Sequence, residues 1–290
     1  MKKSLQKIYC YFLSVLRQLY LHEGKKCALR KFSNAVKTKS KKIGLKSSKF
    51  TVPSGSTVFA FQNNTTCRDM MKIMKVAYEN EFLRELWKNK DYSINISGNN
   101  ERVEKITTTV QDKEFEKYYK ILGGKTGTLA LVGNKLLICN LALITEIDNQ
   151  PTIAVVMNID KVENRFSVTK QILDFVKGEI TELNIDKNTA YIVCSIGENG
   201  ETNIIYERNA DKKYHSASLA KVITVLTALD YIENPNEKIK FNKEDLFHGS
   251  GAIFNKNDII TFEDAIKCML FSSSNQAAQA VARTVIEKYL

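Results

Sequence analysis

Residues 218–229, "SLAKVITVLTAL", place small or apolar side chains around the whole circumference of a helix, with one charge, Lys221, inside the run. A helix with no polar face must be covered on all sides. The fold therefore has to supply a shell of other elements, and 290 residues at 43% hydrophobic content can build one. Ser218 and Lys221 stand three residues apart, so their side chains share one helical face. A serine hydroxyl becomes a strong nucleophile when a neighbouring base takes its proton, and a lysine among Leu219, Ala220, Val222 and Ile223 has the desolvated setting that makes an amine basic rather than cationic. The plainer alternative is a helix-capping serine beside a surface lysine. The apolar wrap argues against a solvated Lys221.

The shell is legible in part. "KTGTLALV", "KLLICNLALITEI" and "TIAVVMNI" read as strands, the last two separated by Asp-Asn-Gln-Pro, and predict an antiparallel meander. "TAYIVCSIGENGETNIIYERN" predicts a hairpin around Asn199-Gly200. "DYSINISG" has strand character. Thr66 with Asp69 resembles a capping box ahead of a helix whose Met70, Ile73, Met74 and Ala77 share a face. Thr261 and Asp264 are placed to cap "FEDAIKCMLF", "QAAQAVARTVIEKYL" is a further helix, and Gly44 and Gly178 are placed to end helices.

Two more segments carry chemistry. The run Gly123-Gly124-Lys125-Thr126-Gly127 is not a phosphate loop, because the first glycine of that motif would fall at Tyr119 and strand, not helix, follows. A cation and a hydroxyl at the start of a strand can instead hold a carboxylate, with Gly127 letting a ligand approach the backbone and the Thr128 amide available to an oxyanion. Ser273-Ser274-Asn275, between two predicted helices, can turn a hydroxyl and an amide into a cleft, or can be an ordinary helix cap.

Taken together, Ser-x-x-Lys, Ser-x-Asn and Lys-Thr-Gly form the motif set of penicillin-binding proteins and serine β-lactamases. "YERNADKKYHSASLAKVITVLTALD", "MLFSSSNQAAQAVAR", "CRDMMKIMKVAYENEFLRELWKNKDYSI" and "GGKTGTLALVGNKLLICNLAL" resemble the low-molecular-mass, serine-type D-alanyl-D-alanine carboxypeptidases (peptidase S11-like) from about Phe32 to Leu290. The resemblance implies an α+β, DD-peptidase-like fold with a five-stranded antiparallel sheet flanked by helices and a helical lobe. It implies Ser218 as nucleophile, Lys221 as general base, Ser273 as proton carrier and Asn275 as orienting amide. Lys125 and Thr126 would hold the substrate's carboxylate, and the amides of Ser218 and Thr128 the oxyanion. The substrate would be the D-Ala-D-Ala end of a peptidoglycan stem peptide, β-lactams would acylate Ser218, no metal or other cofactor would take part, and the chain would work at the extracytoplasmic face of the cell envelope.

The order of the motifs departs from the family, in which Ser-x-x-Lys comes first and Lys-Thr-Gly last; here Lys125 precedes Ser218 and Ser273. The chain reads as circularly permuted: 32–178 resembles the family's C-terminal part, 189–290 its N-terminal part, 179–188 is a fusion linker and 1–31 a basic leading segment. Ten extended residues span roughly 30 Å, enough to join neighbouring termini. Val52 also departs, standing where the family tends to carry Asn before Pro-x-Gly. Two alternatives remain at this stage. One is a β-lactamase of the same fold, although the Glu-x-x-Leu-Asn element of class A enzymes is not found around Glu81 and Glu85. The other is a non-catalytic relic or interaction module, its lobes exchanged between chains in one version.

Charge is concentrated at one end. Residues 1–50 hold 14 Lys/Arg and the single acid Glu23, whereas the rest hold 29 Lys/Arg against 31 Asp/Glu. Such a segment is either a solvated basic helix with a lysine-rich tail or a contact for an anionic surface, lipid or cell-wall polyanion, and no nucleic acid partner is expected. "MKKSLQKIYCYFLSVLRQLYL" imitates an export signal, but Arg17 interrupts it and no small-x-small site follows. The six cysteines lack Cys-x-x-Cys spacing, and His22, His215 and His248 are scattered, so neither a zinc site nor a dense disulfide framework is expected.

Overall fold

The computed structural model describes residues 23–56, 63–130, 137–247 and 249–290. The export-like stretch, His22 and His248 lie outside them. Helix α1 (Glu23–Ile43) crosses the boundary drawn at 31/32 and ends at Gly44, whose φ of 76° closes the last turn through Gly44 N to Lys41 O and Leu45 N to Ser40 O. Then follow β1 (Asn64–Thr65), α2 (Cys67–Glu79), α3 (Glu81–Trp87), β2 (Asp91–Ile96), β3 (Arg102–Thr107), β4 (Ile121–Ala130), β5 (Leu137–Ile147), β6 (Gln150–Ile159) and α4 (Asn164–Val176). The second half contributes β7 (Ala190–Ile196), β8 (Thr202–Arg208), β9 (Tyr214–His215), a 3-10 turn (Ala217–Leu219), α5 (Ala220–Ala228), β10 (Lys238–Lys240), β11 (Ile259–Thr261), α6 (Phe262–Leu270) and α7 (Asn275–Tyr289).

Strands β4-β5-β6-β7-β8 form one five-stranded sheet in that order, every neighbouring pair antiparallel. Asp148 (φ 50°) and Asn149 (φ 62°) make the two-residue β5–β6 turn, with the left-handed pair that matches strand twist. The Val155–Ile192 pairing seats the β7–β8 hairpin beside β6. Because successive side chains alternate faces, Ala142, Ile144, Ile153, Val155, Ile192 and Cys194 enter one core with α2, α5, α6 and α7. Leu141, Leu143, Ala154, Val156, Tyr191 and Val193 enter another against Phe166, Ile172 and Leu173 of α4. Burial on both faces explains why these strands read as continuous apolar runs. Helix α5 lies in the first core with every residue buried, as a helix without a polar face requires.

Strand β3 has no counterpart in the sequence reading. "RVEKIT" pairs with β2, but Val103 is 59% exposed, so its alternation carries little apolar signal. The Thr66–Asp69 expectation holds by half. Thr66 Oγ1 accepts from Asp69 N at 3.1 Å, capping α2, yet the Asp69 carboxylate turns away to accept from Lys46 N (3.0 Å), Ser47 N (2.7 Å) and Ser48 Oγ (2.8 Å). It thereby ties the loop after α1 to the head of α2. Asp69→Ala should strand two backbone donors and cost about 2 kcal/mol, read as a lower urea midpoint with an unchanged slope; an unchanged midpoint would show that the tie contributes nothing.

Candidate active site

The 3-10 turn ahead of α5 presents Ser218 half-buried, while Ala217 beside it is held at φ 47°. That left-handed backbone is unfavourable for an alanine, so its surroundings must enforce it. Two glycines do so by close approach. A Cβ on Gly55 would fall 2.0 Å from Ala217 O, and one on Gly127 would fall 2.9 Å from Ser216 O. The sequence reading gave Gly127's open space to a ligand. The structure gives it to the serine-bearing turn, which packs on edge strand β4 there.

Lys221 is fully buried, with Nζ 2.8 Å from Ser218 Oγ, 2.7 Å from Asn275 Oδ1 and 2.8 Å from the Ser54 carbonyl. Desolvation, and then the Lys125 charge, hold its amine well below the usual lysine range. The third partner was invisible in sequence because it belongs to the backbone. In the Thr51–Gly55 loop, Asn63 clamps Val52 through both amide and carbonyl, Pro53 O accepts from Thr224 Oγ1, and Ser54 O accepts from Lys221. These contacts use no side-chain atom of Val52.

In "SSSN" Ser274 and Ser273 divide the work. Ser274 is the helix cap, accepting from Ala277 N at 3.2 Å and donating to Ala252 O at 2.7 Å. Ser273, at φ 64°, is thereby turned the other way, and its Oγ accepts from Lys125 Nζ at 3.0 Å. Lys125 also donates to Thr126 O at 3.0 Å and has no exposed surface; burial, then the Arg165 charge, lower its pKa to about 7. The sequence reading placed Lys125 directly on a carboxylate. In the structure its ammonium is sealed behind Ser273, and other donors face the opening.

That opening is a cleft of about 450 Å³ whose walls include Ser218, Ser273, Thr126, Thr128, Thr109 and Arg165. Arg165, in the first turn of α4, donates from Nη2 to Thr128 Oγ1 at 2.6 Å, and its buried Nε has no hydrogen-bond partner among the described residues. Neither Arg165 nor Thr109 was found from sequence. Each lies in an unremarkable local pattern, and only the topology brings it to β4.

The structure thus brings together Ser218, Lys221, Ser273, Asn275, Lys125, Thr126 and Thr128, drawn from three separate segments of the chain. Residues 182–286 match the family of D-alanyl-D-alanine carboxypeptidases, peptidase S11. The match spans about a third of the chain and includes Ser218, Lys221, Ser273 and Asn275, but not Lys125–Thr128. It supports an S11-like DD-peptidase. No curated protein and no solved structure gives a significant match.

Burial of Lys125 has a measurable consequence. Unfolding restores a lysine that keeps its proton up to about pH 10.5, whereas folded Lys125 releases its proton near pH 7. Between those values the unfolded chain binds more protons, so this lysine's penalty shrinks, and stability rises, as pH increases across the window. Lys125→Met should lose that slope. Urea unfolding at pH 7 and pH 9.5 checks it, and identical pH slopes in both proteins would mean that Lys125 is not desolvated.

Proposed function

We propose that this chain is a serine-type D-alanyl-D-alanine carboxypeptidase whose parts run in circularly permuted order. The observation that carries the reading is the placement of Lys221 Nζ within 2.8 Å of both Ser218 Oγ and Asn275 Oδ1. Asn275 Oδ1 and Ser54 O can only accept. A neutral amine satisfies them with its two protons and aims its lone pair at the Ser218 hydroxyl. This is the geometry of a general base at work on a nucleophile.

On this reading Ser218 Oγ attacks the carbonyl between the two D-alanines and its proton passes to Lys221. The amides of Ser218 and Thr128 hold the oxyanion; each such donor is usually worth about 3 kcal/mol. The C–N bond breaks as Ser273 hands its proton to the departing amine and takes in return the proton that Lys221 accepted from Ser218, which leaves Lys221 neutral, with Lys125 donating to Ser273 from behind. Water then attacks the acyl-enzyme, and Lys221 takes its proton and returns it to Ser218 Oγ as the ester bond breaks. The terminal carboxylate is met by Thr126, Thr128 and Arg165 at the cleft wall, while Lys125 acts on it through its field rather than by contact.

The permuted order is supported by the neighbourhood of its two joints. Lys31 Nζ donates to Leu290 O at 3.1 Å, which sets α1 beside the end of α7. The proposed fusion joins α4 to β7, and it is fastened by Arg208 Nη2 to Asp186 O (2.7 Å) and Asn209 Nδ2 to Lys187 O (3.0 Å). Since the substrate lies outside the membrane, the reading places the protein at the extracytoplasmic face of the envelope.

A fluorescent penicillin should form a stable adduct that is absent in Ser218→Ala, and Lys221→Met should slow acylation about 100-fold or more. Rapid release of hydrolysed penicillin would identify a β-lactamase instead. A folded chain that forms no adduct would overturn the proposal in favour of a non-catalytic module.

A further inference from the structure

Thr126 and Thr109 face each other with their hydroxyl oxygens 2.7 Å apart, the ordinary length of an O–H···O bond. One proton occupies that bond, and which residue supplies it decides what Thr126 offers the cleft. If Thr126 donates, its lone pairs face the cleft and oppose an anion. If Thr109 donates, Thr126 keeps a free proton for the ligand. Thr126 itself is 95% buried and fixed in β4, whereas Thr109 is exposed at the cleft wall.

Thr109 is well placed to hold that arrangement. Its amide donates to Phe271 O at 3.1 Å, at the start of the loop that carries Ser273, and its neighbour Val110 is anchored in the second core. The short segment after β3 therefore joins the Lys-Thr-Gly strand to the Ser-x-Asn loop, with Thr109 at the junction. We propose that Thr109 is a positioning residue: it donates to Thr126 Oγ1 so that the Thr126 proton points at the substrate's carboxylate. The proposal rests on the carboxypeptidase reading above, and it assigns to Thr109 part of the discrimination between a free C-terminal carboxylate and a blocked one.

The test compares acylation of Ser218 in the full chain by benzylpenicillin and by its methyl ester, whose carboxylate is blocked. Thr109→Val is the informative variant, because a methyl fills the hydroxyl's place and keeps a water from donating in its stead. It should slow acylation by the free acid about tenfold and leave the ester's rate unchanged, so the acid-to-ester ratio falls by the same factor. Thr109→Ser should restore the ratio. Because Thr109 is exposed and its ties to Phe271 are through the backbone, the unfolding midpoint of Thr109→Val should match the wild type. An unchanged ratio in Thr109→Val, or an equal loss with both compounds, overturns the assignment while leaving the carboxypeptidase reading intact. Failure of the wild type to react with either compound overturns the carboxypeptidase reading and this inference with it.

Discussion

A buried amine organises this molecule. Lys221 has no exposed surface, and a polar group taken from water without partners is costly, so the fold must deliver hydrogen-bond partners to it. It delivers Ser218 Oγ from the 3-10 turn, Asn275 Oδ1 from the head of α7 and the Ser54 carbonyl from the loop after α1. Each of these segments is separately fastened: Gly55 admits Ala217, Ser274 caps α7, and Asn63 clamps Val52. Satisfying one nitrogen thus fixes the mutual positions of segments that are distant in the chain.

This is why the order of the segments matters less than their ends. Strand β4 meets the serine-bearing turn across Gly127 whether it comes before or after that turn in sequence. The sheet sets the same requirement. β6 and β7 are antiparallel neighbours, and the polypeptide between them needs only to leave β6, cover the second core with α4 and return. The α1–α7 side asks for still less, since Lys31 already reaches Leu290. On the proposed reading, a permuted chain keeps its packing so long as the new joint spans its gap without strain, and a coil of about ten residues does so easily.

Where the sequence was legible, the signal was local and repeated. The α2 face of Met70, Ile73, Met74 and Ala77 is wholly buried, Thr261 caps α6 through Asp264 N at 3.0 Å, and the Asp-Asn turn joins β5 to β6. Motif spacing brought Ser218, Lys221, Ser273 and Asn275 to attention because each pair lies within one turn. What stayed hidden was carried by other means. Ser54 contributes a backbone oxygen that any residue would have, and Arg165 lies 37 positions from the Thr128 it bonds. The Asp69 side chain left its expected partner because two loop amides offered better use of a carboxylate. At Gly127 the close neighbour that needs a glycine is the protein's own turn, since a Cβ there would fall 2.9 Å from Ser216 O, and no local pattern announces that approach.

The electrostatics of the cleft follow from crowding like charges. The charge of Arg165 lowers the pKa of Lys125, and that of Lys125 lowers the pKa of Lys221 in turn; burial is the larger cause for both lysines. Such a cluster is unfavourable until an anion joins it, and so it makes carboxylate binding and charge relief the same event. On the proposed reading, a substrate carboxylate beside Arg165 offsets the field that bears on Lys125 and draws it toward its protonated form, in which it donates more strongly to Ser273. Lys221, farther along the chain of influence and held by Asn275 and Ser54, stays neutral beside Ser218. The two lysines can therefore occupy opposite protonation states within one site, a cation where the leaving amine needs a proton and a free amine where the nucleophile must lose one.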